Sequence, residues 1–252
     1  LAERRGATGC EPEALERLLA HASRLADDRT KLTARFELLD DVIAEARVGA
    51  PHGPLSCADV DRAIEQRRIR NARIEDLMHE RISDGTILIE STGGVVGQVN
   101  GLTVRDVGDH AFGAPARVTA RASAGREGVV NIERSVAMGG PIQQKGAMIL
   151  QGFLAGLFAR EIPLSFTCSI TFEQNYGGVE GDSASLAEAV AVISDLAGWP
   201  VRQDVAITGS MNQRGEAQIV GGVAHKVEGF FRACTDKPAG LTGTQGAIVP
   251  NT

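Results

Sequence analysis

The chain has 252 residues, 43% of them hydrophobic and 23% charged, which is a normal globular balance long enough for one or two domains. Its formal net charge of −6 gives no overall cationic field for nucleic acid or anionic lipid, and no apolar run approaches the length of about 18 residues needed to cross a bilayer. Four scattered cysteines, Cys10, Cys57, Cys168 and Cys234, form no C-x-x-C pair, so neither a zinc site nor a redox motif is expected, and they read as reduced thiols of a cytoplasmic protein.

Residues 1–84 read as helical. Leu15, Leu18, Leu19, Ala22 and Leu25 recur at helical spacing, as do Phe36, Leu39, Val42, Ile43 and Ala46. Gly49 and Pro51-His52-Gly53-Pro54 end the second helix, and Ser56 with Asp59 forms a capping box that opens a third, running through Val60 and Ile64. A fourth spans about 71–83, making a small bundle. The basic run Gln66–Arg73 lies among Glu65, Glu75, Asp76 and Glu80, so a salt-bridged helix face is expected in preference to a nucleic-acid patch.

At Gly85 the character changes, and a boundary is drawn there between an α domain (1–84) and an α+β domain (85–252). Thr86–Ile89 reads as a short strand. Arg117–Ala122 and Val129–Arg134 alternate with period two, and Ser123–Gly128 between them predicts a hairpin turn. An apolar helix over 144–159 ends near Arg160, followed by a strand over 164–172 that could pair with an extended substrate. A strand over 203–208, a turn at Arg214-Gly215 and a helix from 222 to 234 complete the reading. The chain starts without Met and stops just after an apolar stretch, so a fragment, truncated at its C-terminus, is expected.

Val179-Glu180-Gly181-Asp182-Ser183-Ala184-Ser185 precedes a helical run of Ala, Val, Leu and Ile. A serine at a helix start is ordinarily a cap. No Ser/His/Asp pattern is recognisable among the five histidines. Lys226 offers another partner: Val223, Val227, Phe230 and Phe231 make an apolar face around it, and a lysine held there would be desolvated toward the neutral amine. A neutral amine can take the proton of a serine hydroxyl, so Ser183 and Lys226 make a chemically sensible dyad.

With these residues in view, the chain resembles the proteolytic half of the Lon family, nearest its B-type branch, over nearly all of 86–252. The resemblance is carried by Gly97–Leu102, Phe172–Tyr176, Val179–Ser185, Thr208-Gly209-Ser210, Gly221–Lys226 and Gly246–Asn251, in the family's order, with Ser183 and Lys226 43 residues apart. It implies Ser183 as nucleophile and Lys226 as general base. Thr208 falls on the threonine that orients the lysine. Glu180 falls on an acidic position that modulates the lysine or substrate entry. Backbone N–H groups of Asp182, Ser183 and Ala184 would form the oxyanion hole. Ala224 and His225 stand where the branch usually has Asn and Glu, which puts His225 in place to alter the base. An alkaline pH profile follows, because the lysine must be neutral to act.

Residues 1–84 resemble the helical lid of an AAA+ ATPase module, carried by His21–Leu32, with Arg24 or Lys31 as nucleotide-phosphate candidates. No G-x-x-x-x-G-K-[ST] occurs, so no cofactor is expected in this chain itself, and ATP with Mg²⁺ would belong to an upstream module. No metal site is expected. The implied activity is degradation of unfolded or damaged protein inside a homo-hexameric ring in the cytoplasm, with no membrane or nucleic-acid partner. The alternative is a catalytically silent ring-forming domain of an ATPase, disfavoured by retention of Ser183, Lys226 and Thr208.

Overall fold

A computed structural model of the chain describes residues 9–108, 110–159 and 165–251. They divide into two compact units. One runs to Ile74 and includes Val107, Gly108 and His110; the other comprises Glu75–Asp106 and the residues from Ala111 onward.

The first unit is built on α1 (Pro12–Ala26), α2 (Phe36–Gly49) and α3 (Cys57–Asn71). Their apolar stripes meet in a core of Ala14, Leu18, Val42, Ile43, Ala46, Leu55, Val60 and Ala63. The expected capping box is formed: the Ser56 hydroxyl accepts from Asp59 N–H while the Asp59 carboxylate accepts from Ser56 N–H. The basic run on α3 is paired, Arg67 with Asp41 and Glu45, Arg68 with Glu65, and Arg70 with Glu45.

The contact boundary falls inside α4 (Arg73–Ser83), one helix before the change of character at residue 85. From Glu75 on, α4 belongs to the second unit. There Met78 and Ile82 pack with Ile87, Ile89 and Ala233, and Arg232 donates to Glu75 (2.9 Å) and Asp76 (2.7 Å). Thr86–Ile89 is not a strand. Leu88 N–H donates to the Gln174 side-chain oxygen, whose amide donates back to Thr86 carbonyl, so a side chain substitutes for the strand partner that local β-propensity anticipated.

The second unit centres on a six-stranded mixed sheet. Its strands are β2 (Gln98–Val107), β3 (His110–Ala124), β4 (Gly128–Asn131), β5 (Phe166–Phe172), β7 (Val205–Ile207) and β10 (Gly246–Ile248), in the order β10-β7-β2-β3-β5-β4. Two small sheets flank it, β1 (Gly94–Val96) with β6 (Pro200–Arg202), and β8 (Ser210–Met211) with β9 (Ala217–Gln218). The expected hairpin at 123–128 is replaced by a different pairing. β5 inserts between β3 and β4, antiparallel to β3 (Val118 opposite Phe172) and parallel to β4 (Gly128 opposite Thr167). With both edges occupied, β5 cannot add a substrate strand, which corrects that expectation. The expected helix end at Arg160 and strand start at Leu164 lie outside the described residues.

Alternation along the strands sorts two cores. Val99 and Ile207 pack with Leu150 and Leu154 of α6 (Pro141–Phe158) and with Ala187, Ala191 and Val192 of α7 (Ser185–Ala197). Leu102 and Ala206, of opposite parity, pack with Phe230 and Cys234 of α8 (Val223–Thr235). The sheet is therefore covered by α6 and α7 on one face and α8 on the other. Among the described residues no helix is long and apolar enough to cross a membrane.

Candidate active site

The turn before α7 is shaped by Gly181, whose φ of +88° is a left-handed conformation that L side chains rarely adopt. It turns the chain so that Asp182, Ser183 and Ala184 lead into the helix. The two serines of the stretch then differ. The Ser185 hydroxyl is committed inside the protein, donating to Asp182 carbonyl (2.8 Å) and accepting from Met211 N–H (3.1 Å). Ser183, half-buried, is the one whose hydroxyl that internal network does not use.

Ser183 is held through its backbone. Its carbonyl accepts from Gly209 N–H (2.8 Å) and from the Thr208 hydroxyl (3.2 Å), and Leu186 N–H donates to Gly209 carbonyl (3.1 Å). Thr208-Gly209 thus runs alongside the turn as a brace. By contrast, among the described residues the N–H groups of Asp182, Ser183 and Ala184 donate to no backbone carbonyl. They lie at the positive end of α7, which favours negative charge.

α6 supports the turn from the other side. A Cβ on Gly146 would come within 3.3 Å of Asp182 Cβ, so the helix approaches closely there. Glu180 is directed to the start of α6. Its carboxylate accepts from Ile142 N–H (3.3 Å), and a Cβ on Gly140 would fall 1.2 Å from its Oε2. Val179 completes the attachment through hydrogen bonds with Met138 and Gly140.

Lys226 lies on the inner stripe of α8 with Gly229, Phe230, Ala233 and Cys234, and is only 3% exposed. The face predicted around it needs correction: Phe230 is buried, but Val227 and Phe231 are exposed, because the 3.6-residue period turns them outward. Two glycines set the height of the helix over the sheet. A Cβ on Gly113 of β3 would sit 1.9 Å from His225 carbonyl oxygen, and one on Gly229 would sit 2.0 Å from Gly113 carbonyl oxygen. Phe230, one turn after Lys226, packs with Leu102 and Ala206. The structure thus joins Ser183 directly to Thr208 and sets Lys226, buried, on the helix that covers the Leu102 and Ala206 face of the sheet. Ala224 is exposed and His225 half-buried beside it.

Sequence reasoning missed a buried polar cluster behind the turn. Glu188 of α7 accepts from the Gln143 amide of α6 (3.1 Å). Glu133, in the short helix α5 (Ile132–Ser135), accepts from the Thr171 hydroxyl (2.8 Å) and Phe172 N–H (2.7 Å). The available signal was a glutamate on the inward stripe of α7, three residues after Ser185 and four before Val192.

The nucleotide candidates belong to the first unit. Arg24 occupies the last turn of α1. Lys31 is paired with Asp28 (3.0 Å), whose carboxyl is brought down to about 2 by hydrogen bonds from Thr30. Among the described residues no group of three or more His, Cys, Asp or Glu is placed to hold a metal ion.

Two family comparisons match this chain. Residues 9–70 match the archaeal LonB AAA+ ATPase lid domain, and residues 176–237 match the Lon protease (S16) C-terminal proteolytic domain. A Lon protease homologue of Escherichia coli (strain K12) is 44% identical over 74% of this chain and 32% of its own length. Another, of Haemophilus influenzae, is 35% identical over 95% of this chain and 40% of its own. The archaeal Lon protease of Pyrococcus abyssi is 32% identical over 88% of this chain and 22% of its own. The chain therefore spans well under half the length of these relatives.

Proposed function

The chain belongs to the Lon protease family, and from that premise we propose that its second unit is a serine peptidase working through a Ser183–Lys226 dyad. The Ser183 Oγ attacks a peptide carbonyl while its proton passes to the neutral Lys226 amine. The oxyanion is stabilised by the N–H groups of Asp182, Ser183 and Ala184, which donate to no backbone carbonyl among the described residues, each such donor being worth about 3 kcal/mol in the barrier. The Lys226 ammonium then returns the proton to the departing amine, and water releases the acyl group from Ser183. Thr208 holds the Ser183 carbonyl and helps orient the amine, and Glu180 secures the turn to α6.

The observation that carries this reading is the burial of Lys226: taking an amine out of water favours the neutral form that can accept a proton. In the whole protein the peptidase would act on unfolded chains in the cytoplasm, within a hexameric ring driven by an ATPase module, to which Arg24 or Lys31 would contribute phosphate contacts. A peptide boronate tests the dyad. It is expected to inhibit the parent through a Ser183 adduct visible by intact mass and to leave Ser183→Ala unlabelled. An adduct on another residue would remove Ser183 from the mechanism.

A further inference from the structure

Helix α6 begins at Gly140, whose φ of −70° and ψ of 168° are ordinary N-cap values open to any residue. Nothing in its backbone calls for glycine. It has no side chain with which to cap, Pro141 follows it, and the first turn of α6 carries no acid. The place a side chain would take is filled from another segment: a Cβ on Gly140 would lie 1.2 Å from Glu180 Oε2 and 2.4 Å from the Glu180 carboxyl carbon. The other oxygen, Glu180 Oε1, accepts from Ile142 N–H at 3.3 Å. Resting on the nucleophile reading above, we infer that Glu180 is a positioning residue for Ser183. Its carboxylate is the N-cap of α6, supplied from the nucleophile turn, and Gly140 is glycine to admit it.

This role differs from the two that the resemblance implies for the position. A group that modulates the lysine would pair with it, and among the described residues the Glu180 side chain pairs with no lysine or arginine. A group that governs substrate entry would stand free before the serine, whereas this carboxylate is turned to α6.

The need for the tie lies in the turn. Val179 is fixed by backbone hydrogen bonds to Met138 and Gly140, and the Ser183 carbonyl by Gly209 and Thr208. Between these points run Glu180, Gly181 and Asp182, and Gly181, at φ +88°, has the widest conformational freedom of the three. Two contacts with α6 restrain it: Glu180 at Ile142 N–H, and Asp182 against Gly146, one helical turn further on. The start of a helix presents unpaired N–H groups and partial positive charge, so a carboxylate there makes a charge-assisted bond.

The test compares the full chain with Gly140→Ser, Glu180→Gln, Glu180→Ala and the double variant Glu180→Ala/Gly140→Ser, measuring melting temperature and, on unfolded casein, kcat and KM. Gly140→Ser gives α6 its own cap and drives the Glu180 carboxylate out. Its melting temperature should stay at or above the parent's while kcat falls about tenfold or more at unchanged KM, since a misplacement of about 1 Å can cost about a hundredfold. Glu180→Ala should lose both melting temperature and kcat, and Glu180→Gln, which keeps an acceptor, less of each. In the double variant the serine should restore the melting temperature and leave kcat low; should Gly140→Ser alone fail to fold, this pair carries the same comparison. The pH midpoint of kcat should stay the parent's throughout. Parent-like kcat in Gly140→Ser, recovery of kcat together with melting temperature in the double variant, or a displaced pH midpoint in Glu180→Gln overturns the proposal. Full cleavage by Ser183→Ala overturns the nucleophile reading instead, and the melting temperatures, which need no activity, still report the cap.

Discussion

Gly181 holds φ at +88° two residues before Ser183, and a Cβ added there would meet nothing within 4 Å. The cost of Gly181→Ala is therefore conformational alone, about 1–2 kcal/mol. Chemical denaturation should show that loss, and kcat should fall further than stability requires because the turn aims the nucleophile. Thr208→Val keeps the shape and removes one of two hydrogen bonds to the Ser183 carbonyl, leaving that from Gly209. Its expected stability loss is about 1 kcal/mol, with a drop in kcat at unchanged KM. At this scale the sequence was informative where chemistry is local. The capping box is legible from Ser56 and Asp59, and Ser183 and Thr208, residues of two separate motifs, meet through the Ser183 carbonyl. Val227 and Phe231 were misread as a lysine-covering face because hydrophobicity was counted without following the helical turn; the inward positions are Gly229, Phe230 and Ala233. Glu188 escaped notice because a single acid in an apolar helix is usually solvated.

Helices were legible from apolar period and caps, whereas strand order was not. β3 and β4 are separated by three residues, and local turn chemistry suggested a hairpin, but β5 arrives from far along the chain and takes the position between them. Nothing in 117–134 encodes that insertion; it follows from the long-range antiparallel register of Val118 with Phe172. The crossing of α8 over β3 was equally hidden, since it depends on two distant glycines. Gly229→Ala forces a Cβ to 2.0 Å from Gly113 carbonyl oxygen, a backbone atom that cannot rotate away. It should displace the turn carrying Lys226 and abolish cleavage. Gly156→Ala on α6 is the control: its Cβ meets nothing within 4 Å, and exchange to Ala should stabilise the helix by about 0.5–1 kcal/mol, read as a rise in denaturation midpoint.

At the scale of the molecule, each unit has its own core: the residues of the α1–α3 cluster all precede Ile74, and those of the sheet clusters all follow it. Ser56→Ala, which removes the capping box of α3, should therefore destabilise the first unit by about 1 kcal/mol and leave cleavage of unfolded protein unchanged. The most direct test of the central claim is ATP-independent cleavage of a fluorescently labelled, unfolded casein by the chain, beside Ser183→Ala and Lys226→Ala. The Ser183–Lys226 account predicts cleavage by the parent, rising from neutral to alkaline pH, and its loss in both variants. Equal cleavage by all three, or a parent rate that falls steadily over that pH range, would contradict it.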